Sequence, residues 1–152
     1  MTSRFEKIQI YQLDSSLMPW QSIRGLARPH LGWAKAIRQG LGMTAAALAK
    51  RLGISQAGVA KLEKAEIEDR ITLASLRKLA DALNCEVHYA LVPREPIEAM
   101  IKHRAYDLAR EKLATVSHSM ALEGQQVDQP NQEKQLEFLA QELLAGPRRD
   151  LW

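Results

Sequence analysis

Between residues 42 and 64 two short amphipathic stretches flank one glycine, GMTAAALAKRLGISQAGVAKLEK. Ala47, Leu48 and Leu52 share one face of a first helix, and Gly53 ends it. Val59 and Leu62 form the inward pair of a second helix, with Ile54 just ahead of it. Thr44 and Ser55 each stand where a helix begins, and there a side-chain oxygen accepts an otherwise unpaired N–H. Ala49 is small where the two helices cross, and Gly53 tolerates the positive φ of a tight turn. A chain with this pattern is committed to two short helices crossing at close range. The outward face of the second carries Gln56, Ala57, Ala60 and Lys61.

The flanking pattern completes a mainly helical domain. Residues 31–41 read as a helix ended by Gly42, with Trp33 expected in a core or an interface. Thr72 caps a fourth helix, with Leu73, Leu76, Leu79, Ala80 and Leu83 as its inward stripe. In residues 85–92, Val87, Tyr89 and Leu91 alternate with Glu86, His88 and Ala90, which predicts a strand. A lone strand is unstable, and a second copy of the chain is the simplest partner, so a homodimer is expected. Ahead of this domain, Ile10, Leu13, Leu17 and Trp20 give residues 4–17 an apolar helical face, serving either its own domain or a dimer. Pro19, Gly25 and Pro29 follow it. Behind the domain, Pro93 and Pro96 mark a boundary. Residues 97–122 predict one long helix stopped by Gly124, residues 128–131 a turn around Pro130, and residues 132–145 a further helix. Three segments result: an N-terminal helical arm and linker (1–30), the helix-turn-helix domain with its strand (31–92), and C-terminal helices (93–152).

Charge and composition narrow the function. Residues 31–92 hold nine Lys/Arg against six Asp/Glu, and residues 93–152 hold eight against ten. The front of the chain is basic and the tail mildly acidic, as expected if only the front meets phosphates. Cys85 is the one cysteine, which excludes an internal disulfide and predicts a small buried hydrophobe in a reducing compartment. His30, His88, His103 and His118 share no ligand spacing, so neither a metal nor a cofactor is expected. No apolar run reaches membrane-spanning length and MTSRFEKIQI is no signal-peptide core, so a soluble cytoplasmic protein is expected. No phosphate-binding glycine loop or nucleophile motif points to an enzyme.

The stretch 42–64 and its flanks, about residues 31–83, resemble the lambda-repressor-like family of Xre-type regulators. Small residue, glycine, apolar residue, N-cap and two apolar locks all fall at that family's offsets. The resemblance implies binding to double-stranded operator DNA. It places Gln56, Ala57 and Lys61 at base-reading positions, where Gln bonds adenine, Ala meets a thymine methyl and Lys bonds guanine. Ser55, Lys50, Arg51 and Lys64 fall at phosphate-contact positions, and Thr44 is also expected at the DNA-binding face. Two features depart from the family. Ala45 replaces a frequent glutamine, and the acidic loop 65–70 (AEIEDR) lies where a phosphate contact is often made, which predicts modest affinity per monomer.

The tail carries SMALEG, residues 119–124. It matches the inhibitory motif of Fic-domain proteins: Ser or Thr, three residues, Glu, then Gly or Asn. Fic enzymes transfer AMP from ATP to target hydroxyls, and in one class a separate small antitoxin carries the motif. The spacing puts Ser119 and Glu123 one helical turn apart on one face, and Gly124 ends the helix. The resemblance implies that Glu123 pairs with the arginine that would otherwise hold the ATP γ-phosphate. The chain as a whole resembles the mobile mystery protein A family, whose members are Xre-type proteins encoded beside a Fic-domain protein, mobile mystery protein B. GWAKAIR (32–38), the helix-turn-helix, ITLASLR (71–77), ALVP (90–93) and VSHSMALE (116–123) carry that resemblance. The implied function is an antitoxin that also regulates its own operon. The alternative is a plain Xre-type repressor whose tail only dimerises.

Overall fold

The computed structural model of the chain describes residues 4–122, 124 and 129–152. It is helical: α1 (Arg4–Gln21), α2 (Trp33–Gly40), α3 (Ala45–Leu52), α4 (Gln56–Ile67), α5 (Leu73–Ala82), α6 (Ile97–Leu122), α7 (Gln129–Ala145) and a closing 3-10 turn, Arg148–Leu151. The described residues contain no strand. The segment expected to form one, residues 85–92, runs without turn or bend; Cys85 N–H reaches back to the Ala80 carbonyl at 2.8 Å, and among the described residues positions 86–92 take no backbone partner. The physical reason is that a strand is defined by its ladder, and a single copy offers this segment no second edge. Among the described residues, no helix is long and apolar enough to cross a membrane. The chain divides into two compact units: Ile23–Leu91, and the described residues up to Ser22 together with those from Val92 onward.

In the first unit α2 to α5 enclose a core of Ala34, Leu48, Ala49, Val59, Leu79 and Leu83. Cys85 packs against it, as do Leu52, Leu62 and Ile71. Ala47 is exposed, and Ala45 takes the place expected for it on the packed side of α3. Trp33 is outside the core, 55% exposed. Two carboxylates of α4 hold α2 in place. Glu66 accepts the N–H groups of Trp33 (2.6 Å) and Ala34 (3.0 Å), capping a helix whose own N-cap, Gly32, has no side chain. Gly32 is at φ +80°, ψ 161°, and a Cβ there would be 3.0 Å from the Glu66 carboxylate. Glu63 pairs with Arg38 at 2.6 and 3.1 Å, both side chains nearly inaccessible, and Arg38 also donates to the Met43 carbonyl. The hydrogen bond to Glu63 raises the Arg38 pKa above its ordinary value, against the effect of burial.

In the second unit α6 packs on α7. Ala105 and Ala109 of α6 and Ala140 of α7 are fully buried. Leu151 of the 3-10 turn is buried as well, and its carbonyl accepts from Arg104 at 2.6 Å. Asp14 of α1 caps α6 from a distance, accepting the N–H groups of Ile97 (2.9 Å) and Glu98 (3.4 Å). Tyr106 donates to Glu137 at 2.5 Å across the α6–α7 pair, and Gln141 donates to the other oxygen of Glu137. Helix α1 continues through Pro19 to Gln21, with proline in its last turn, and buries no residue completely. Helix α7 begins at Gln129, earlier than the expected residue 132. Pro130 occupies its first turn, where an N–H has no helical acceptor and its absence costs little. Asp128, the start of the expected turn, is outside the described residues.

Candidate nucleic-acid interface

The α3–α4 corner is built by caps and one left-handed residue. The Thr44 hydroxyl accepts from Ala47 N–H at 3.1 Å and starts α3. Gly53 closes α3 at φ +67°, ψ 29°, and the N–H of Ile54 reaches back to the Ala49 carbonyl at 3.1 Å. The Ser55 hydroxyl accepts from Gly58 N–H at 3.0 Å and starts α4. Ala49 is buried at the crossing, as its size requires. Ile54 is 40% exposed and lies against Gly58, where a Cβ would come within 3.3 Å of the isoleucine Cδ1. Gly58 therefore has a packing role that no turn or cap signal in the sequence reveals.

Helix α4 has two stripes of opposite character. Val59, Glu63 and Glu66 are buried, while Gln56, Ala57, Ala60, Lys61 and Lys64 are exposed. Both acidic residues of the helix are thus turned to α2 and consumed there. The exposed stripe keeps two lysines and one amide with no carboxylate of its own. The loop after α4 is less repulsive to phosphate than its composition suggests. Glu66 is the buried cap, Asp69 pairs with Arg28 at 2.6 Å, and Glu68 pairs with both Arg70 and Lys64. The hydrogen bond from Arg70 holds the Glu68 carboxyl below its ordinary pKa. Arg28 also donates to the Glu66 and Ile67 carbonyls and so caps the C-terminal end of α4.

The remaining residues expected at this face have these positions. Lys50 is exposed on α3, and Thr44 and Ser55 are exposed caps whose hydroxyls already accept an N–H. Arg51 donates to the Ala82 carbonyl at 3.0 Å, which ties it to the end of α5. In the tail, Ser119 is exposed and its hydroxyl donates to the Thr115 carbonyl at 3.2 Å. Gly124, at φ +77°, donates to the Ala121 carbonyl and leaves the helical path. Glu123 is outside the described residues. Leu108, Leu113 and Met120 of α6 are half-buried, and Val116 is 52% exposed.

A family model described as Helix-turn-helix matches residues 35–89. These residues span α2 to α5 and the extended segment after them, so the chain carries a helix-turn-helix domain of the lambda-repressor-like type there. No curated protein matches the chain, and no solved structure matches it.

Proposed function

We propose that the chain is a DNA-binding transcription regulator that lays α4 in the major groove of an operator as a homodimer. The observation that carries this is the division of α4: its acids are buried against α2, and its exposed stripe presents Gln56, Ala57, Lys61 and Lys64. A helix entering a polyanionic groove needs that arrangement. Gln56, Ala57 and Lys61 face base edges. Lys50, Lys64, Ser55 and Thr44 meet phosphates, the last two by way of the helix N-termini they cap. Arg51 also reaches phosphate, besides its bond to α5. The test is selection of a preferred sequence from random duplexes, followed by titration of that duplex. Gln56→Ala and Lys61→Ala should each weaken specific binding by about 1–3 kcal/mol and relax preference at one base pair. Wild-type affinity for the selected duplex in both variants would remove α4 as the reader.

A second function rests on the tail. The resemblance of residues 119–124 to Fic-inhibitory motifs supports an antitoxin role, in which Glu123 occupies the site of the ATP γ-phosphate in a Fic-domain AMP-transferase. The exposed Ser119 and the left-handed Gly124 after the helix end fit a segment that presents one face and then turns away.

A further inference from the structure

The extended segment after α5 has backbone groups that take no partner among the described residues. From Glu86 to Leu91 no backbone N–H or carbonyl bonds to another of the described residues. The segment still has the two-faced character of a strand. Val87 is half-buried, Tyr89 and Leu91 are 60% and 90% exposed, and between them come Glu86, His88 and Ala90. Arg77 of α5 lies over the Tyr89 ring, 5.7 Å from its centre, which anchors the segment to its own domain.

We propose that residues 87–91 pair antiparallel with the same residues of a second copy, with the two-fold axis passing beside Tyr89. This rests on the homodimer reading above and adds the element and register that make it. The argument for this occupant is self-complementarity. An antiparallel pair about a two-fold axis matches each residue with one at a mirrored position. Centring on Tyr89 sets Val87 opposite Leu91, Tyr89 opposite Tyr89 and His88 opposite Ala90. Every apolar side chain on that face then meets another apolar side chain. A shift of one residue would set Leu91 against Glu86 and Tyr89 against His88. Pro93 has no N–H to contribute, which ends the ladder beyond the segment. The pairing supplies partners to backbone groups that otherwise have only water, and it covers Leu91.

The register is directly readable by disulfide trapping in the full-length chain with Cys85→Ser as background. Opposed residues in an antiparallel pair have Cβ atoms about 4.5–5.5 Å apart, and diagonal ones about 7–8 Å. A disulfide needs about 3.5–4.5 Å. Tyr89→Cys should therefore form a covalent dimer under mild oxidation. His88→Cys and Ala90→Cys should each stay monomeric on a non-reducing gel, yet cross-link when mixed. Circular dichroism confirms that each variant is folded. Should Tyr89→Cys misfold, the mixed His88→Cys and Ala90→Cys pair decides. Equal cross-linking of all three single variants would mean random encounter of exposed chains and overturn the proposal. A dimer by light scattering without cross-links in the Tyr89→Cys or the mixed sample would refute the ribbon and leave the homodimer standing. A monomer at every concentration would refute both.

Discussion

Glu63 shows how one residue links the sequence to the surface it creates. Its place on α4 is one turn from Val59 and nearly one from Glu66, on the stripe that faces the core. Burying a carboxylate there is tolerable because Arg38 meets both oxygens. Removing one partner leaves the other charge buried without compensation. Glu63→Ala should lower stability by about 3–5 kcal/mol, while Arg38→Met with Glu63→Leu should recover most of that loss. Urea titrations of wild type, Glu63→Ala and the double variant measure it, and a double variant no more stable than Glu63→Ala would refute this account. Glu137 makes a different prediction, because it is exposed. Hydrogen bonds from Tyr106, and then from Gln141, hold its carboxyl below the ordinary value of 4.5. A depressed folded-state pKa contributes stability that is present above the unfolded value and is lost as pH falls through the folded one. The contribution should therefore fade on acidification below pH 4.5. Tyr106→Phe should remove the larger cause and flatten the acid side of the stability profile. An unchanged slope in acid denaturation would contradict this.

At the scale of elements, what was legible in the sequence is what depends on neighbours a few residues away. The caps Thr44, Ser55 and Thr72 all act as written, each accepting an N–H three residues on. The bounds of α6 follow from Pro96 and from the absence of breakers up to Gly124. The outward stripe of α4 follows from helical period alone. What was illegible depends on residues far apart. Nothing near Gly32 indicates that Glu66 caps α2, and nothing near Ile97 indicates that Asp14 caps α6. The acidic loop 65–70 looked hostile to phosphate because its partners, Arg28 above all, lie outside it. The strand failed for a related reason: alternation reports that a segment suits a sheet, and the missing ladder belongs to another edge. Asp14 yields a prediction at this scale. Asp14→Ala strips two N–H groups of α6 of their acceptor and should lower stability by about 1 kcal/mol. Hydrogen exchange should show the loss at Ile97 and Glu98 before any change in α2 to α5. Uniform acceleration across the chain would mean that Asp14 does more than cap.

For the molecule as a whole, the two compact units give two surfaces that can fail separately. The helix-turn-helix unit has its own core and holds every residue assigned to DNA. The tail belongs to the other unit, whose packing centres on Ala105, Ala109, Ala140 and Leu151. Substitutions more than about 7–10 Å apart with no shared partner act nearly independently. Glu123→Gly should leave operator affinity within about twofold of wild type, since the residues assigned to DNA belong to the other unit. If the tail docks on a Fic-domain enzyme as proposed, the same variant should leave that complex intact, with α6 docking through Leu108, Leu113, Val116 and Met120. Under the proposed antitoxin role it removes the carboxylate that competes with the γ-phosphate, so AMP transfer should return. Ser119→Ala should be milder, because its hydroxyl already bonds the Thr115 carbonyl and a neutral hydrogen bond is worth about 0.5–1.5 kcal/mol. Glu123→Gln keeps the size and removes the charge, so it isolates the ion pair. The assay is AMP transfer by the purified complex beside an operator shift on the same preparation. A Glu123→Gly complex that stays silent, with an enzyme active when freed of this chain, would reduce the tail to a dimerisation or packing segment and leave the DNA-binding reading untouched.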